Sequence, residues 1–278
     1  MNFSIVIPLY NKSYSIKRCI DSVLSQTHKK FEIIVVNDGS SDDSLSVVEN
    51  SYPIEINKKL IKIIDQNNQG VSIARNNGIA ASQSNYICFL DADDEWEPSF
   101  LEKMAALIID FPNADTYSLA HMVKKEGIGL IKPKHGLTDG YRGYVKDFFK
   151  ASSRGSVVKS SKVCVKKQAL LIFGGFPEGV VAGEDLYVWI RLALNGKVAC
   201  DMSFSVIVHQ EEDQSRYSRK NSVPYPFTFL SKNKYVKKNK SLNKYLFVIF
   251  YKHFLSSLSN FKLKEASFRL YYYLRMYL

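Results

Sequence analysis

The sequence predicts an α/β protein built on a mostly parallel, Rossmann-like sheet flanked by helices, with a helical extension at the C-terminus. Three observations lead to this prediction. Short apolar runs alternate with helical patterns over the first 95 residues, a polar cluster follows each run, and the residues after 215 are basic and aromatic. A chain of 278 residues, 46 % hydrophobic and 23 % charged, has the composition of one large soluble domain with such an extension.

Four apolar runs rich in β-branched residues predict the first strands. Between them, apolar residues recur at the spacing of amphipathic helices. The predicted strands cover residues 3–9, 32–36, 60–64 and 86–90, and the predicted helices begin near residues 16, 41 and 71. Strands that alternate with helices form parallel sheets with right-handed crossovers.

Each predicted strand ends in a cluster of polar residues, at 8–11, 37–40, 65–68 and 91–94. Open α/β sheets bind ligands at the carboxyl ends of their strands. Four such ends would present polar groups along one rim of the sheet, and this convergence predicts a ligand site there.

The second half of the chain is less regular. Helices are predicted over 100–109, over 183–194 and after Pro226. Residues 114–167 are rich in Lys, Gly, Ser and Tyr without a clear period, so we assign no elements to them.

Two carboxylates follow the fourth predicted strand, in Asp91-Ala92-Asp93. Together they can hold a hard divalent cation and, through it, a diphosphate, because Mg²⁺ and Mn²⁺ prefer oxygen ligands and keep phosphates in their shells. The alternative is a plain strand-to-helix turn, since aspartates are common in turns.

Two further acids, Glu184 and Asp185, open the predicted helix at 183–194. A carboxylate there can accept the proton of an acceptor hydroxyl as a general base. The alternative is a pair of acids that stabilise the helix N-terminus through its dipole.

Taken together, the motifs resemble those of the inverting family 2 glycosyltransferases, which have the GT-A fold. The resemblance covers about residues 1 to 200 in matching order and spacing. The matching stretches are Ser4-Ile5-Val6-Ile7-Pro8-Leu9-Tyr10-Asn11, Asn37-Asp38-Gly39-Ser40-Ser41-Asp42, Asn68-Gln69-Gly70-Val71-Ser72-Ile73-Ala74-Arg75-Asn76-Asn77-Gly78, Phe89-Leu90-Asp91-Ala92-Asp93-Asp94 and Gly183-Glu184-Asp185.

The resemblance implies a role for each matching residue on the donor side. Asp38 would pair with the base of the donor, Arg75 would hold the nucleotide, and Asp91 would contact the ribose or the waters of the metal. Asp93 would ligate Mn²⁺ or Mg²⁺ directly. The remaining residues implied in donor nucleotide binding are Pro8, Tyr10, Asn68 and Ala92.

On the acceptor side, the resemblance makes Asp185 the base, with Glu184 assisting. Relatives place a further His or Arg after the base, near the diphosphate or metal; His209 is the main candidate here, with Arg216 and Arg219 beside it. His209 is otherwise a loop histidine. Trp189, one helical turn after Asp185, would stack on an acceptor sugar or belong to the core.

The activity implied is metal-dependent transfer, with inversion, from a nucleotide-diphosphate sugar (a UDP-sugar) to a hydroxyl of a glycan or lipid-linked glycan. A hexosyl or N-acetylhexosaminyl group would move, in surface polysaccharide or lipopolysaccharide biosynthesis. Residues 1–215 would form the catalytic domain, with a nucleotide-binding half at 1–97 and an acceptor-binding half at 98–215. Residues 216–278 would form the helical extension.

The extension carries 14 Lys or Arg against one acid, whereas the rest of the chain is nearly neutral. Basic and aromatic residues interleave in it, a composition that suits an anionic membrane surface. The alternative is a set of helices packed on the catalytic domain. Without a signal peptide, a membrane-spanning stretch or paired cysteines, the sequence predicts a cytoplasmic protein, peripheral on the inner face of the cell membrane.

Two other classes of protein use similar features. A sugar nucleotidyltransferase also combines a doubly wound sheet with acidic metal ligands, but it opens with a Gly-rich, basic phosphate loop where this chain has Pro8-Leu9-Tyr10-Asn11. A non-catalytic nucleic-acid-binding protein would explain the basic tail but not the acidic strand ends. We therefore expect glycosyl transfer, with no nucleic-acid partner.

Overall fold

A computed structural model describes residues 1–210, 223–230, 239–259 and 263–275 of the chain. Within these residues, ten strands form one mixed sheet flanked by helices. The first four strands are parallel and lie in the order β3-β2-β1-β4. They are β1 (Phe3–Leu9), β2 (Phe31–Asp38), β3 (Ile61–Gln66) and β4 (Tyr86–Phe89), connected by α1 (Ile16–Leu24), α2 (Ser44–Ser51), α3 (Pro53–Asn57) and α4 (Val71–Ala81).

The sheet continues beyond β4 with strands that the sequence did not locate. They are β5 (Glu95–Trp96), β6 (Thr116–Lys125), β7 (Gly129–Ile131), β8 (Arg142–Tyr144), β9 (Val163–Lys166) and β10 (Val198–Gln210). The order along the sheet is β4-β9-β6-β10-β5. Strand β9 runs antiparallel to both β4 and β6, while β10 runs parallel to β6. The parallel arrangement expected from the sequence thus holds through β4, and the sheet is mixed from β9 onward.

Helices cover this second half and continue into the C-terminal extension. They are α5 (Phe100–Asp110), α6 (Phe148–Ser152), α7 (Lys167–Ile172), α8 (Glu184–Asn195), α9 (Tyr225–Leu230), α10 (Lys240–Ser259) and α11 (Leu263–Arg275), with a 3₁₀ turn at Ser160–Lys162. The predicted C-terminal helices are confirmed. The predicted domain boundaries remain predictions, and the sheet itself runs without a break past residue 97.

The core lies on both faces of the sheet because successive strand residues point to opposite sides. Ile5 and Ile7 of β1 join a cluster with α1 and α5, whereas Val6 between them joins a second cluster with α8 and α10. Helix α10 enters that second cluster through Leu242 and Leu246, both almost fully buried. Helix α10 of the C-terminal extension is therefore part of the core on this side of the sheet.

Helix α4 lies unusually close to β1, and a glycine makes this approach possible. A Cβ atom on Gly78 would come within 2.3 Å of Cγ1 of Val6. A side chain larger than glycine at position 78 would therefore clash with β1. Close packing here fixes the position of Arg75, one turn earlier on α4.

Helix α2 begins at Ser44, a few residues later than predicted. The side chain of Asp42 accepts hydrogen bonds from the backbone N–H groups of Ser44 and Ser13, and these bonds hold the turn before the helix.

The four cysteines are buried free thiols. In the described parts of the chain, no helix is both long enough and apolar enough to cross a bilayer.

Candidate functional site

The loops that follow β1 and β2 are tied to each other. Asn11 adopts a left-handed conformation with φ of 50°, and its side-chain oxygen accepts the backbone N–H of Ser41 at 2.8 Å. In return, the backbone N–H of Asn11 donates to Oγ of Ser40 at 3.1 Å. Two of the predicted polar strand ends thus form one rim, with the exposed Tyr10 on it.

Asp38, at the end of β2, organises the loop after β3. Its buried carboxylate accepts the side-chain amide of Gln66 at 2.7 Å and the backbone N–H groups of Gln69 and Gly70 at 2.8 and 2.9 Å. These contacts hold the segment that carries the exposed Asn68. Asp38 therefore positions a loop of the site, and its predicted pairing with a base stays a prediction.

Arg75 is the residue that joins distant parts of the site. Its guanidinium donates to Asp91 at 2.9 Å and to Glu184 at 3.1 Å, and its side chain is only 5 % exposed. Burial opposes the charged form, but Asp91 and Glu184 outweigh it and raise the pKa of Arg75. A permanently charged arginine thus connects the end of β4 with the first turn of α8.

The aromatic ring of Phe176 packs against the guanidinium of Arg75. The guanidinium carbon of Arg75 lies 5.1 Å from the centre of the Phe176 ring, within the range of a cation–π contact. Asn76 fixes Phe176 in place, because its amide donates to the Phe176 carbonyl at 2.9 Å and accepts the Phe176 N–H at 2.8 Å. Arg75 and Asn76 are thus both in contact with Phe176, which lies about a hundred positions later in the sequence.

The three aspartates after β4 have different surroundings. Asp91 is one-third exposed and paired with Arg75. Asp93 forms an ion pair with Lys12 at 3.2 Å.

Asp94 is buried and accepts hydrogen bonds from Ser161 Oγ and from the backbone N–H of His209. Burial, together with the negative charges of Asp93 and Asp91, raises the pKa of Asp94 to about 8. Ala92 is buried between them, and its carbonyl accepts the hydroxyl of Ser15 at 3.0 Å.

His209 lies at the end of β10, within reach of this turn. Its ring nitrogen Nε2 is 2.8 Å from a carboxylate oxygen of Glu95, and the residue is almost fully buried. Arg216 and Arg219, the other candidates for this role, lie outside the described residues. The proposed contact of His209 with a metal stays a prediction.

Glu184 and Asp185 form the first turn of α8, which Gly183 opens in the left-handed conformation with φ of 79°. Glu184 is buried and accepts from Arg75. Burial, followed by the negative charge of Glu184, raises the pKa of the Asp185 carboxyl, and Arg75 opposes this rise. A carboxylate with a raised pKa is a better proton acceptor than an exposed aspartate.

Trp189 lies one turn further along α8 in a buried aromatic cluster. Its ring centre is 6.0 Å from that of Phe176 and 6.4 Å from that of Phe89. Trp189 also lines a cavity together with Asp185. Trp189 thus belongs to the core, one of the two alternatives left by the sequence, and its stacking on an acceptor sugar stays a prediction.

The structure brings together Arg75, Asp91, Glu184 and the neighbouring Asp185, as the resemblance implied. It also shows residues that the sequence analysis missed, notably Lys12 beside Asp93, Phe176 beneath Arg75 and Ser161 beside Asp94. Asn76 is part of the quoted motif, but no local pattern reveals that it holds Phe176.

Whether these residues fit a divalent cation depends on the donor atoms they offer. No group of three or more His, Cys, Asp or Glu able to hold a metal occurs within the described ranges. Asp93 offers carboxylate oxygens that are partly exposed beside Lys12. A Mg²⁺ ion bound through one or two carboxylates, with substrate phosphates and water, is compatible with such a site.

A curled mixed sheet flanked by helices is the architecture of glycosyltransferases of the GT-A type. Residues 1–349 of TarS from S. aureus, solved in complex with UDP-GlcNAc, match this fold with a TM-score of 0.74 and 20 % identity, over 90 % of this chain and 73 % of that chain. The predicted fold class is confirmed.

The chain belongs to the family described as Glycosyl transferase family 2, whose sequence model matches residues 4–161. It is 37 % identical over 107 residues to the glycosyltransferase YibD of Escherichia coli (strain K12), covering 38 % of this chain and 30 % of that relative. It is 35 % identical over 108 residues to glycosyltransferase GlyA of Streptococcus pneumoniae, covering 39 % of this chain and 15 % of the relative. The chain thus matches less than a third of the length of either.

Proposed function

We propose that the protein is a metal-dependent inverting glycosyltransferase that transfers a hexosyl or N-acetylhexosaminyl group from a UDP-sugar to a hydroxyl of a glycan or lipid-linked glycan. Surface polysaccharide or lipopolysaccharide biosynthesis is the setting that the family resemblance implies. The observation that carries the proposal is the bridge from Asp91 through Arg75 to Glu184. This bridge supports the proposal because it joins the end of β4, where the donor would bind, to the first turn of α8, which carries the proposed base Asp185.

The reaction we propose is a single displacement. The acceptor oxygen forms a bond to carbon 1 of the donor sugar as the bond from carbon 1 to the diphosphate oxygen breaks. The proton of the acceptor hydroxyl passes to a carboxylate oxygen of Asp185, and UDP leaves. Attack from the face opposite the leaving group inverts the anomeric configuration.

Other side chains hold the reacting groups in place. Arg75, fixed by two carboxylates and an aromatic ring, would orient the nucleotide with little loss of side-chain entropy on binding. Asp93 would hold the divalent cation, which supplies charge neutralisation of the diphosphate. The TarS structure in complex with UDP-GlcNAc supports UDP as the nucleotide of the donor.

A panel of nucleotide sugars tests the proposal. Thermal unfolding is recorded with UDP-, GDP-, ADP- and dTDP-sugars, with and without Mn²⁺ or Mg²⁺. A bound ligand stabilises the folded state according to its concentration and dissociation constant. We expect a UDP-sugar to raise the midpoint in a metal-dependent manner, and Asp93→Ala to abolish the metal dependence while the exposed Asp139→Ala does not. If none of the nucleotide sugars raises the midpoint of thermal unfolding, the proposal is wrong.

We further propose that the C-terminal helices attach the protein to the inner face of the cell membrane from the cytoplasm. Helix α10 exposes an apolar stripe made of Phe247, Leu255 and Leu258, on the side opposite Leu242 and Leu246. Residues 216–278 carry 14 basic residues against one acid, and this charge together with the stripe suits an anionic bilayer. Much of that charge, at residues 216–220 and 232–238, lies outside the described residues.

Liposome flotation tests the membrane contact. Deletion of α10 would uncover the core, so point substitutions are the sharper probe. Phe247→Ser and Leu255→Ser should weaken binding to vesicles with anionic phosphatidylglycerol, whereas Ile109→Ser, at an exposed position of α5, should not. Membrane attachment would be contradicted if all three variants bound the anionic vesicles equally well. It would also be contradicted if Phe247→Ser and Leu255→Ser instead converted a dimer to a monomer.

A further inference from the structure

A cavity of about 270 Å³ lies beside Asp185, between the sheet and the C-terminal extension. Its walls come from β6, α6, α8 and α10, so that residues far apart in sequence face one space. Among the lining residues are His121, Ser152, Lys159, Asp185, Trp189 and Tyr245. None of the side chains predicted to hold the donor is part of this lining.

Three buried polar atoms in the lining make no hydrogen bond within the part of the chain that the structure describes. They are Nδ1 of His121, Oγ of Ser152 and Nε1 of Trp189. His121 and Trp189 are each only 4 % exposed. A buried polar group without a partner is unfavourable, so three in the residues that line one cavity favour a ligand rich in hydrogen-bonding groups.

The chemistry of these atoms suits hydroxyl groups. An indole N–H only donates, while a serine hydroxyl both donates and accepts. Burial, with the charges of Lys162 and Lys159, lowers the pKa of His121 to about 2, so its ring is neutral and offers one donor and one acceptor. A sugar ring carries hydroxyls that both donate and accept, beside apolar C–H faces suited to an aromatic wall.

The volume suits a single sugar ring. Small-molecule pockets usually measure roughly 300–1,000 Å³. A space of about 270 Å³ therefore accommodates one monosaccharide unit.

Tyr245 is the contribution of helix α10 to this cavity. Burial, followed by the charge of Asp185, raises the pKa of the Tyr245 hydroxyl, which places the phenol in the electrostatic neighbourhood of the proposed base. Its ring contacts Phe149 of α6 with a centre-to-centre distance of 6.1 Å. Helix α10 is also tied to α6 by the hydrogen bond from Ser241 to Asp147 at 2.6 Å.

We propose that this cavity binds the terminal sugar of the acceptor and that the C-terminal helix completes it, with Tyr245 positioning the acceptor hydroxyl toward Asp185. The inference rests on the proposed function, since it takes Asp185 as the base. It gives the extension a role in acceptor recognition that is independent of any membrane. Tyr245 is thus a positioning residue for the reaction.

Tryptophan fluorescence tests the proposal, because the chain has two tryptophans and Trp189 borders the cavity. The protein, saturated with UDP, is titrated with the methyl glycosides of glucose, galactose and N-acetylglucosamine. At least one glycoside should change the emission saturably, and the change should be absent in Trp189→Phe. Tyr245→Phe should weaken that binding about tenfold, with the UDP-induced thermal shift unchanged. Tyr251→Phe, the same substitution on the exposed side of α10, is the matched control and should bind as the wild type does.

Three results would overturn the inference. The first is that no glycoside changes the tryptophan emission. The second is that Tyr245→Phe binds the glycoside as tightly as Tyr251→Phe does. The third is that only intact UDP-sugars change the emission relative to UDP, which would make the cavity a pocket for the donor sugar. Failure of the proposed function looks different, since UDP and UDP-sugars would then give no thermal shift in any variant.

Discussion

Arg75 and Glu184 are 109 positions apart in sequence, yet Nη1 of the arginine lies 3.1 Å from Oε1 of the glutamate. Both side chains are buried, and Asp91 completes the cluster at 2.9 Å from Nη2. Breaking a buried ion pair by removal of one partner leaves an uncompensated charge. The cluster is therefore a point at which stability and the geometry of the site are coupled.

Arg75→Gln should lower the free energy of unfolding by about 3–5 kcal/mol, because it leaves Glu184 buried without its cation. The double variant Arg75→Gln, Glu184→Gln should recover part of that loss, although neither should bind a donor normally. Urea denaturation measures the free energy of unfolding of both variants.

Arg142→Gln is the control. This arginine pairs with Asp110 and Asp201 but is 36 % exposed, so its replacement should lower the free energy of unfolding by no more than about 1 kcal/mol. Additive losses in the double variant would show that the two side chains are not coupled.

Gly78→Ala should destabilise the protein, although alanine usually favours a helix over glycine by about 1 kcal/mol. The added methyl group would lie 2.3 Å from Cγ1 of Val6, and overpacking of a core costs about 1–3 kcal/mol. The double variant Gly78→Ala, Val6→Ala should lose less stability than the sum of the single changes. A stabilised Gly78→Ala protein would mean that α4 does not pack against β1 in this way.

Lys162 should make stability depend on pH. Its side chain is buried, its ammonium donates to the Ser156 carbonyl at 2.8 Å, and burial lowers its pKa to about 7. In the unfolded chain the pKa is near 10.4, so between about pH 7 and 10 the unfolded state binds more protons than the folded state. The free energy of unfolding should therefore rise with pH in that window.

The comparison with Lys162→Met isolates this effect. The margin by which the methionine variant is more stable than the wild type should be largest below pH 7 and shrink by pH 9. The corresponding difference for the exposed Lys17→Met should stay constant over the same range. A Lys162→Met margin that stays constant or grows with pH would contradict a lowered pKa for Lys162.

The first half of the fold could be predicted because its signals are local. Strand and helix periods, polar strand ends and the family motifs all lie within short stretches, and parallel crossovers bring them to one rim by a general rule. Arg75 and Asp91 could be assigned to the same site on this basis. The ion pair between Arg75 and Glu184 was not predicted, because no local pattern connects two residues 109 positions apart.

The second half could not be predicted because its pairing is non-local. Strand β9 inserts between β4 and β6, and no period in residues 114–167 reveals this order. The cavity beside Asp185 depends on Tyr245 from the extension, whose composition indicated a membrane surface as readily as a packed helix. Lys12 lacked any signal, because its contact with Asp93 arises from the meeting of two loops.

Asp185 is proposed to accept the proton of the acceptor hydroxyl in a site assembled by Arg75. The most direct test is the rate of sugar transfer by Asp185→Asn, recorded with the UDP-sugar that stabilises the wild type. The thermal shift by that donor is measured in parallel. We expect turnover to fall roughly 10²–10⁴-fold, with the donor-induced shift retained. Turnover at the wild-type rate in Asp185→Asn would show that another group is the base.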